Sequence, residues 1–375
     1  MRILALEPYY GGSHRAFLDG WIARSRHDWT LLTLPDTKWK WRMRHAAITF
    51  AAEVERAAPD APTPQLVFCS DILNLAEFGG LAPRAVRKLP AVLYFHENQL
   101  TYPVREESER DYHFMFSNLT SALAARRVWF NSAYHRDAFL DAAQIFLRRM
   151  PDHQPLHAIA RIREKSEVRS PPIGAIPIRR GPRPPGPPRI LWAARWEYDK
   201  APERFFGVLE QLKRNGVPFH LSVLGGTGGR RPPEVFARAR RLLRDEIRHW
   251  GYIDDRAEYE RVLQTADIAV STADHEFFGL SLLEAAAAGA FPLVPRRLAY
   301  PEVFGPSEVQ GRLSFFYDGS PEDLCRRLCD AAGRIAKGNL WESDPERGRR
   351  CALRYTWDRT LPDWDDELDA LAAAG

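Results

Sequence analysis

Short runs of β-branched and aromatic residues, each ending in polar positions, alternate along this chain with longer stretches whose apolar residues recur every three or four places. In the first half "RILALEP" (2–8), "QLVFCS" (65–70), "AVLYFHE" (91–97) and "RVWFNS" (127–132) predict strands, with helices such as 14–25 and 113–125 between them. The eight prolines of "SPPIGAIPIRRGPRPPGPP" (170–188) then break the pattern, since proline suits neither a helix interior nor a central strand. It restarts with "RILWAARW" (189–196), "FHLSVLGG" (219–226), "IRHWGYI" (247–253), "ADIAVSTA" (266–273) and "AFPLVP" (290–295). Helices are predicted near 201–214, 233–244, 256–265, 279–288 and 320–336. This alternation predicts an α/β protein of two doubly wound, Rossmann-like domains facing a central cleft. The expected boundaries are 1–170 for the first domain, 171–188 for a proline-rich linker, and 189–375 for the second domain with a C-terminal helix.

Composition narrows the class. The 375 residues are 45% apolar, enough for two cores, and contain no low-complexity tract that would imply disorder. Cys69, Cys325, Cys329 and Cys351 are too few and too scattered for a disulfide framework, and none has the paired spacing of a zinc site. The start, "MRILALEPYYGGSH", lacks the apolar length of a signal peptide, and no stretch has the apolar length of a membrane span. A reduced, cytoplasmic protein is expected. The net charge is only +4, but arginines cluster at Arg126, Arg127, Arg148, Arg149, Arg161, Arg163, Arg179 and Arg180, and again from Arg230 to Arg248. These clusters fit either solvated surface charge or a basic face for a polyanion.

Ligands of doubly wound sheets bind beyond the carboxyl ends of the strands. In the second domain "RWEYDK" places Arg195 and Lys200 there, two cations suited to a diphosphate. "GGTGG" (225–229) contributes Gly225 and Gly226, whose missing side chains let backbone approach a ligand. "HEFFGLSLLEAAAAG" (275–289) reads as a buried helix starting near Gly279, with free N–H groups that favour an anion. Glu284 stands in the middle of it, and a buried carboxylate must be paired, either by a structural partner or by a ligand such as the vicinal hydroxyls of a ribose. Glu276, ahead of the helix, would point beyond the diphosphate.

In the first domain "HENQLTYP" brings His96, Glu97, Asn98 and Gln99 to the opposite wall of the expected cleft, and "GGSH" does the same with Gly11, Gly12, Ser13 and His14. "PDTKWKWRMRH" (35–45) interleaves Lys38, Trp39, Lys40, Trp41 and Arg42, which offers π-faces for bases and cations for phosphates; two core tryptophans flanked by charge fit it equally well. No metal is expected. The sole Asp-x-Asp, Asp363 to Asp365, lies in the acidic C-terminal helix, and Arg195, Lys200 and a helix N-terminus can meet the charge of a diphosphate.

The set Arg195, Lys200, Glu276 and Glu284 resembles the donor site of retaining GT-B glycosyltransferases. That resemblance implies diphosphate contacts from Arg195 and Lys200, ribose contact from Glu284 and donor-sugar contact from Glu276, with Phe278, Gly279 and Leu280 at the start of the donor helix. Phe277 departs from it, standing where many members carry glycine. "EPYYGGSHRAF", "LPDTKWKWRMR", "SDILNLAEF", "LYFHENQLTYPV", "MPDHQP", "ARWEYDKAPERFF" and "HWGYIDD" together resemble the tRNA-queuosine mannosyltransferases. This implies GDP-mannose as donor substrate and no required cofactor. It further implies retaining mannosyl transfer to queuosine at the wobble position of tRNA(Asp), with the queuosine-containing anticodon loop as partner and Glu276 and His96 as catalytic residues. No membrane or protein partner is expected. Two other readings are a GT-B enzyme with another sugar nucleotide or a small-molecule or glycan acceptor, and a catalytically silent nucleotide- or RNA-binding relative.

Overall fold

The computed structural model describes the chain except residues 58–61, 105, 107–109, 180–182, 229, 230 and 375, so Arg180, Gly229, Arg230 and the middle of the proline-rich stretch lie outside the described residues. The chain forms two compact units, Met1–Pro172 with Trp357–Gly375, and Ile173–Thr356.

The first unit carries β1 (Arg2–Tyr10), β2 (Asp28–Pro35), β3 (Leu66–Ser70), β4 (Ala91–Phe95), β5 (Arg127–Phe130) and β6 (Ser166–Val168) in the order β2-β1-β3-β4-β5-β6, every pair parallel. Both faces are covered, as a parallel sheet requires. Leu4, Leu6, Phe95 and Phe130 enter one layer with Phe50 and Phe139, while Ile3, Ala5 and Trp129 enter the other with Phe17 and Trp21.

The second unit carries β7 (Arg189–Ala193), β8 (His220–Leu224), β9 (Ile247–Gly251), β10 (Ile268–Val270), β11 (Phe291–Pro295) and β12 (Phe316–Tyr317) in the order β12-β11-β10-β7-β8-β9, again all parallel. Strand order reverses between β1 and β3 in the first sheet and between β7 and β10 in the second. Such switch points splay the following loops apart and open a crevice at the carboxyl edge.

Two domain expectations are corrected. The helix Trp357–Ala373 belongs to the first unit, where Trp357, Trp364, Leu368 and Leu371 join the Trp21 layer. Buried Asp365 accepts from Trp21 Nε1 at 3.0 Å and from the Arg26 backbone N–H at 2.9 Å, so its carboxylate serves the fold. The expected linker 171–188 is also not separate, because the second unit begins at Ile173. Ile173 and Ile176 are buried in the second core, and Arg179 donates to the carbonyls of Gln264, Thr265 and Ala266 and to Asp267. The 2%-exposed Asp267 has Arg179, Arg183 and Arg189 around it, so of the arginines clustered in the first half Arg179 serves one buried carboxylate.

Candidate active site

In the second unit, the loop after β7 and the loop after β10 lie on either side of the switch point and are tied together. Thr272 Oγ1 donates to the Lys200 carbonyl at 2.8 Å and the Asp274 N–H to the Asp199 carbonyl at 2.8 Å. Lys200, only 7% exposed, donates from Nζ to the His275 carbonyl at 2.6 Å and lies 3.0 Å from Asp199 Oδ2 and 3.4 Å from Glu276 Oε2. Burial alone would lower its pKa, but Glu276 and Asp199 outweigh burial and raise it, so Lys200 is a fixed cation. Burial likewise opposes ionisation of Glu276, yet Lys200 and the Phe278 N–H hold it ionised, with its pKa below the ordinary value. Burial and then Lys200 push His275 down to about 4, so this ring is neutral at physiological pH.

Gly279 opens the helix Leu280–Ala287 at φ +91, and a Cβ there would lie 2.9 Å from the Tyr300 ring; only glycine fits this entry to the anion-facing end. Phe277 and Phe278 are buried, the first against His275 and the second against Tyr355, while Leu280 is half-buried as the first helical residue. Arg195 is about half exposed, 3.6 Å from Glu197. Gly225 and Gly226 follow β8, but Gly225 answers a demand of the protein itself: at φ +121 its Cβ would lie 1.9 Å from the Ala194 carbonyl oxygen. The Gly226 carbonyl accepts from Trp196, which stitches this loop to the one after β7.

Glu284 has structural partners. Arg256 Nη2 donates to Oε1 at 2.8 Å and the Tyr259 hydroxyl to Oε2 at 2.9 Å. Each carboxylate oxygen keeps a further lone pair, so the same group can also accept from hydroxyls.

In the first unit the equivalent edge is built on Glu7, a 1%-exposed carboxylate near the end of β1. Its Oε1 accepts from Ser70 Oγ and the Tyr9 N–H, both at 2.9 Å, and its Oε2 lies 3.2 Å from His14 Nδ1. His14 sits on the helix Gly12–Ile22 with its ring centroid 4.0 Å from that of His96, at 31°. Burial opposes a charge on His14, but Glu7, with smaller help from Asp71 and Glu97, raises its pKa to about 9. Burial, then the charge on His14, drives His96 well below the ordinary range. Asp71, fully buried, accepts the His96 N–H at 2.8 Å and fixes the start of that loop; burial and the neighbouring Glu97 raise its pKa. Glu97 and Gly11 are half-buried, and Gly12 and Ser13, just ahead of His14, are exposed.

Asn98 and Gln99 have different fates. Asn98 is wholly buried and its side-chain carbonyl accepts from the Leu100 and Thr101 N–H groups, which closes the loop. Gln99 is 8% exposed, with Nε2 unpartnered among the described residues. Glu7, His14 and His96 carry metal-binding atom types within 4.8 Å of one another. Their arrangement is that of an ion pair stacked on a second ring: facing imidazoles do not aim their in-plane lone pairs at one point, as shared coordination requires.

Lys38 precedes a helix, Trp39–Ala57, that places the two tryptophans differently. Trp39 packs on Phe114 at 5.3 Å in a small cluster with Met43 and Ile72, with Lys40 Nζ over its ring at 5.6 Å. Trp41 is 58% exposed with His45 beneath it. Arg42 is held by the Pro35 carbonyl and His45.

Comparison with known proteins gives the family. Residues 2–173 match the N-terminal region of tRNA-queuosine alpha-mannosyltransferase, and residues 178–331 match glycosyl transferases group 1. A tRNA-queuosine alpha-mannosyltransferase from Drosophila melanogaster is 38% identical over 315 residues, spanning 80% of this chain and 81% of that protein. The chain belongs to the tRNA-queuosine alpha-mannosyltransferase family. It is a glycosyltransferase, and its architecture is GT-B. Sucrose-phosphate synthase from Thermosynechococcus elongatus shares the fold with a TM-score of 0.69 at 15% identity over 100% of both chains. HepE from Anabaena, solved with UDP, does so with a TM-score of 0.67 at 14% identity, over 99% of this chain and 100% of that one. A GDP-mannose-dependent alpha-(1-6)-phosphatidylinositol dimannoside mannosyltransferase from Mycobacterium tuberculosis is 29% identical over 190 residues, 49% of this chain and 45% of that protein.

Sequence reading singled out His14, His96, Lys200 and Glu276 but missed Glu7, Asp71 and Asp199. Each of the missed residues is a carboxylate at or just after a strand end, where one acidic residue in "RILALEP", "SDILNL" or "RWEYDK" looks like the polar stop of a strand. Among the described residues no helix is long and apolar enough to cross a membrane.

Proposed function

We propose that this enzyme transfers mannose from GDP-mannose to queuosine at the wobble position of tRNA(Asp), with retention of configuration, in the cytoplasm. The observation that carries the proposal is the family match over residues 2–173, the unit bearing Glu7, His14 and His96, combined with a buried Lys200 and Glu276 pair at the switch point of the other unit. Likeness to a GDP-mannose-dependent enzyme over about half the chain supports the donor.

On this reading Arg195 and Lys200 neutralise the diphosphate, assisted by the helix end at Gly279, and no metal is needed there. Glu276 contacts the mannose and Glu284 the ribose. The C1–O bond to the diphosphate breaks as a queuosine hydroxyl oxygen bonds to C1 on the same face, and the departing phosphate oxygen takes the hydroxyl proton. His96 contacts substrate from the acceptor unit, and the Lys38–Arg42 segment, Trp41 above all, meets the anticodon loop. Incubation with queuosine-containing tRNA and a panel of sugar nucleotides, followed by mass analysis of the nucleosides, tests the proposal. A hexose added to queuosine from GDP-mannose alone is expected; transfer only to a glycan or small molecule, or from another donor, would overturn it.

A further inference from the structure

The mechanism above uses His96 but leaves unexplained the wholly buried carboxylate behind it. Glu7 has all the marks of a built position. Its two oxygens are held by the Ser70 hydroxyl, the Tyr9 N–H and the His14 ring, and it is 1% exposed. The His14 ring, fixed by that bond, lies against the face of His96, whose other neighbours are the Tyr94 ring at 4.6 Å and the edge of Phe17 at 5.0 Å. His96 is anchored through its backbone to Asp71 and Asn131, and its Nε2 has no hydrogen-bond partner among the described residues. A largely buried ring nitrogen without a partner is costly unless a ligand completes it.

We propose that Glu7 is a positioning residue for glycosyl transfer: from 3.2 Å it holds His14 as an imidazolium whose ring, stacked 4.0 Å from that of His96, fixes the orientation in which His96 presents its ring nitrogen to a substrate hydroxyl. The inference rests on the reading of His96 as a substrate-contacting residue. A charge on one of two stacked imidazoles disfavours charge on the other, so the pair behaves as one cation and one neutral ring. The groups facing the pair keep that order. Glu7 from β1, Asp71 after β3 and Glu97 after β4 favour the cation on His14, while His14 itself and His135, from the helix Ala133–Arg148, disfavour one on His96. Tyr9, Tyr94 and Cys69 complete the titratable surroundings; burial first, then nearby carboxylates, raises the pKa values of Tyr94 and Cys69 and so keeps both neutral.

The test is a ring-resonance titration of the full chain labelled at histidine, run beside a pH profile of kcat/KM. His14 should titrate near 9 in the wild type and fall below the ordinary 6.5 in Glu7→Gln, which keeps the size of the side chain and removes its charge. At pH 7.5 the fraction of charged His14 then drops about tenfold or more, and kcat/KM should fall with it. The variant's rate should recover as pH is lowered and the imidazolium re-forms, whereas the wild type shows no such rise; Glu7→Asp should restore the neutral-pH rate. An unshifted His14 midpoint in Glu7→Gln, or an equal loss of rate at every pH, would overturn the proposal. So would a wild-type midpoint near 6.5, a result that stands even if the variant does not fold. Stoichiometric zinc whose removal by a chelator moves both ring resonances would assign the cluster to a metal instead. If no preparation transfers sugar to queuosine, the functional reading fails while the Glu7 effect on His14 is still decided by the titration.

Discussion

The two sheets solve the same problem with different cations. Each gathers carboxylates at the carboxyl edge of a switch point, and each neutralises them with a buried positive group: Lys200 between Asp199 and Glu276 in one unit, His14 against Glu7 in the other. The difference lies in how permanent the charge is. Glu276 and Asp199 raise the lysine's pKa above its already high ordinary value, whereas the imidazolium holds its proton only to about 9. The contrast also shows that burial alone does not decide the state of a histidine. Burial pushes both rings toward neutrality; Glu7 overrides it at His14, whereas at His275 burial, with Lys200 adding to it, keeps the ring neutral down to about 4.

The sharpest way to break the comparison is to remove the fixed cation. Lys200→Ala leaves Asp199 and Glu276 facing each other without a counter-charge, and should cost about 3 to 5 kcal/mol of stability. Sequence reading expects this substitution to act on nucleotide binding with the fold intact. The 7% exposure of Lys200 and its bond to the His275 carbonyl make it part of the fold as well. A chemical-denaturation midpoint unchanged from wild type would show that the pair is not built as described.

Arg195→Ala is the cleaner probe of the donor, because its side chain is about half exposed. It should weaken nucleoside diphosphate binding by about 1.5 to 3 kcal/mol in calorimetric titration, with no change in melting temperature. Unaltered affinity would remove Arg195 from the site.

The two tryptophans separate in the same manner. Trp41→Ala should cost about 1 to 3 kcal/mol of tRNA binding and leave the melting temperature near wild type, since a 58%-exposed indole contributes little to the core. Trp39→Ala, which loses its packing on Phe114, should lower the melting temperature and affect RNA binding only through stability. Equal effects on stability from both would return Trp41 to the core.

The smallest effect concerns pH. A histidine whose folded pKa is raised to about 9 contributes stability fully present below 6.5 and lost as pH rises through 9; one depressed to about 4 contributes none there and costs stability as pH falls from 6.5 toward 4. The first unit should therefore weaken locally on the alkaline side and the second on the acid side. Hydrogen exchange resolved by peptide, corrected for intrinsic rates, checks this, and the same pH trend in both units would contradict it.

Most of the architecture was legible in the alternation of short apolar runs and helical stretches, because fully buried parallel strands have no other composition. What escaped has physical reasons. Half-buried β2 and the short edge strands β6 and β12 have weak apolar signals. The C-terminal helix follows the second unit in sequence, and only the tryptophan layer around Trp21 and Trp364 draws it to the first. In the candidate site, Lys200 and His14 were visible as residues, but their states depend on Glu276 reached across two loops, with adjacent Asp199, and on Glu7 between strand and helix. Glu284 posed the opposite difficulty: its need for a partner was evident, and Arg256 and Tyr259 supply one from a helix more than 20 residues upstream.

The claim that a facing carboxylate overrides burial at His14, while burial reinforced by Lys200 prevails at His275, is tested most directly by titrating the eleven histidine rings of the wild-type chain from pH 3.5 to 10, with His14→Asn and His275→Asn to assign two of them. The structure predicts that His14 remains charged to about 9 and that His275 stays neutral to about 4. Midpoints for both rings within about one unit of 6.5 would contradict it.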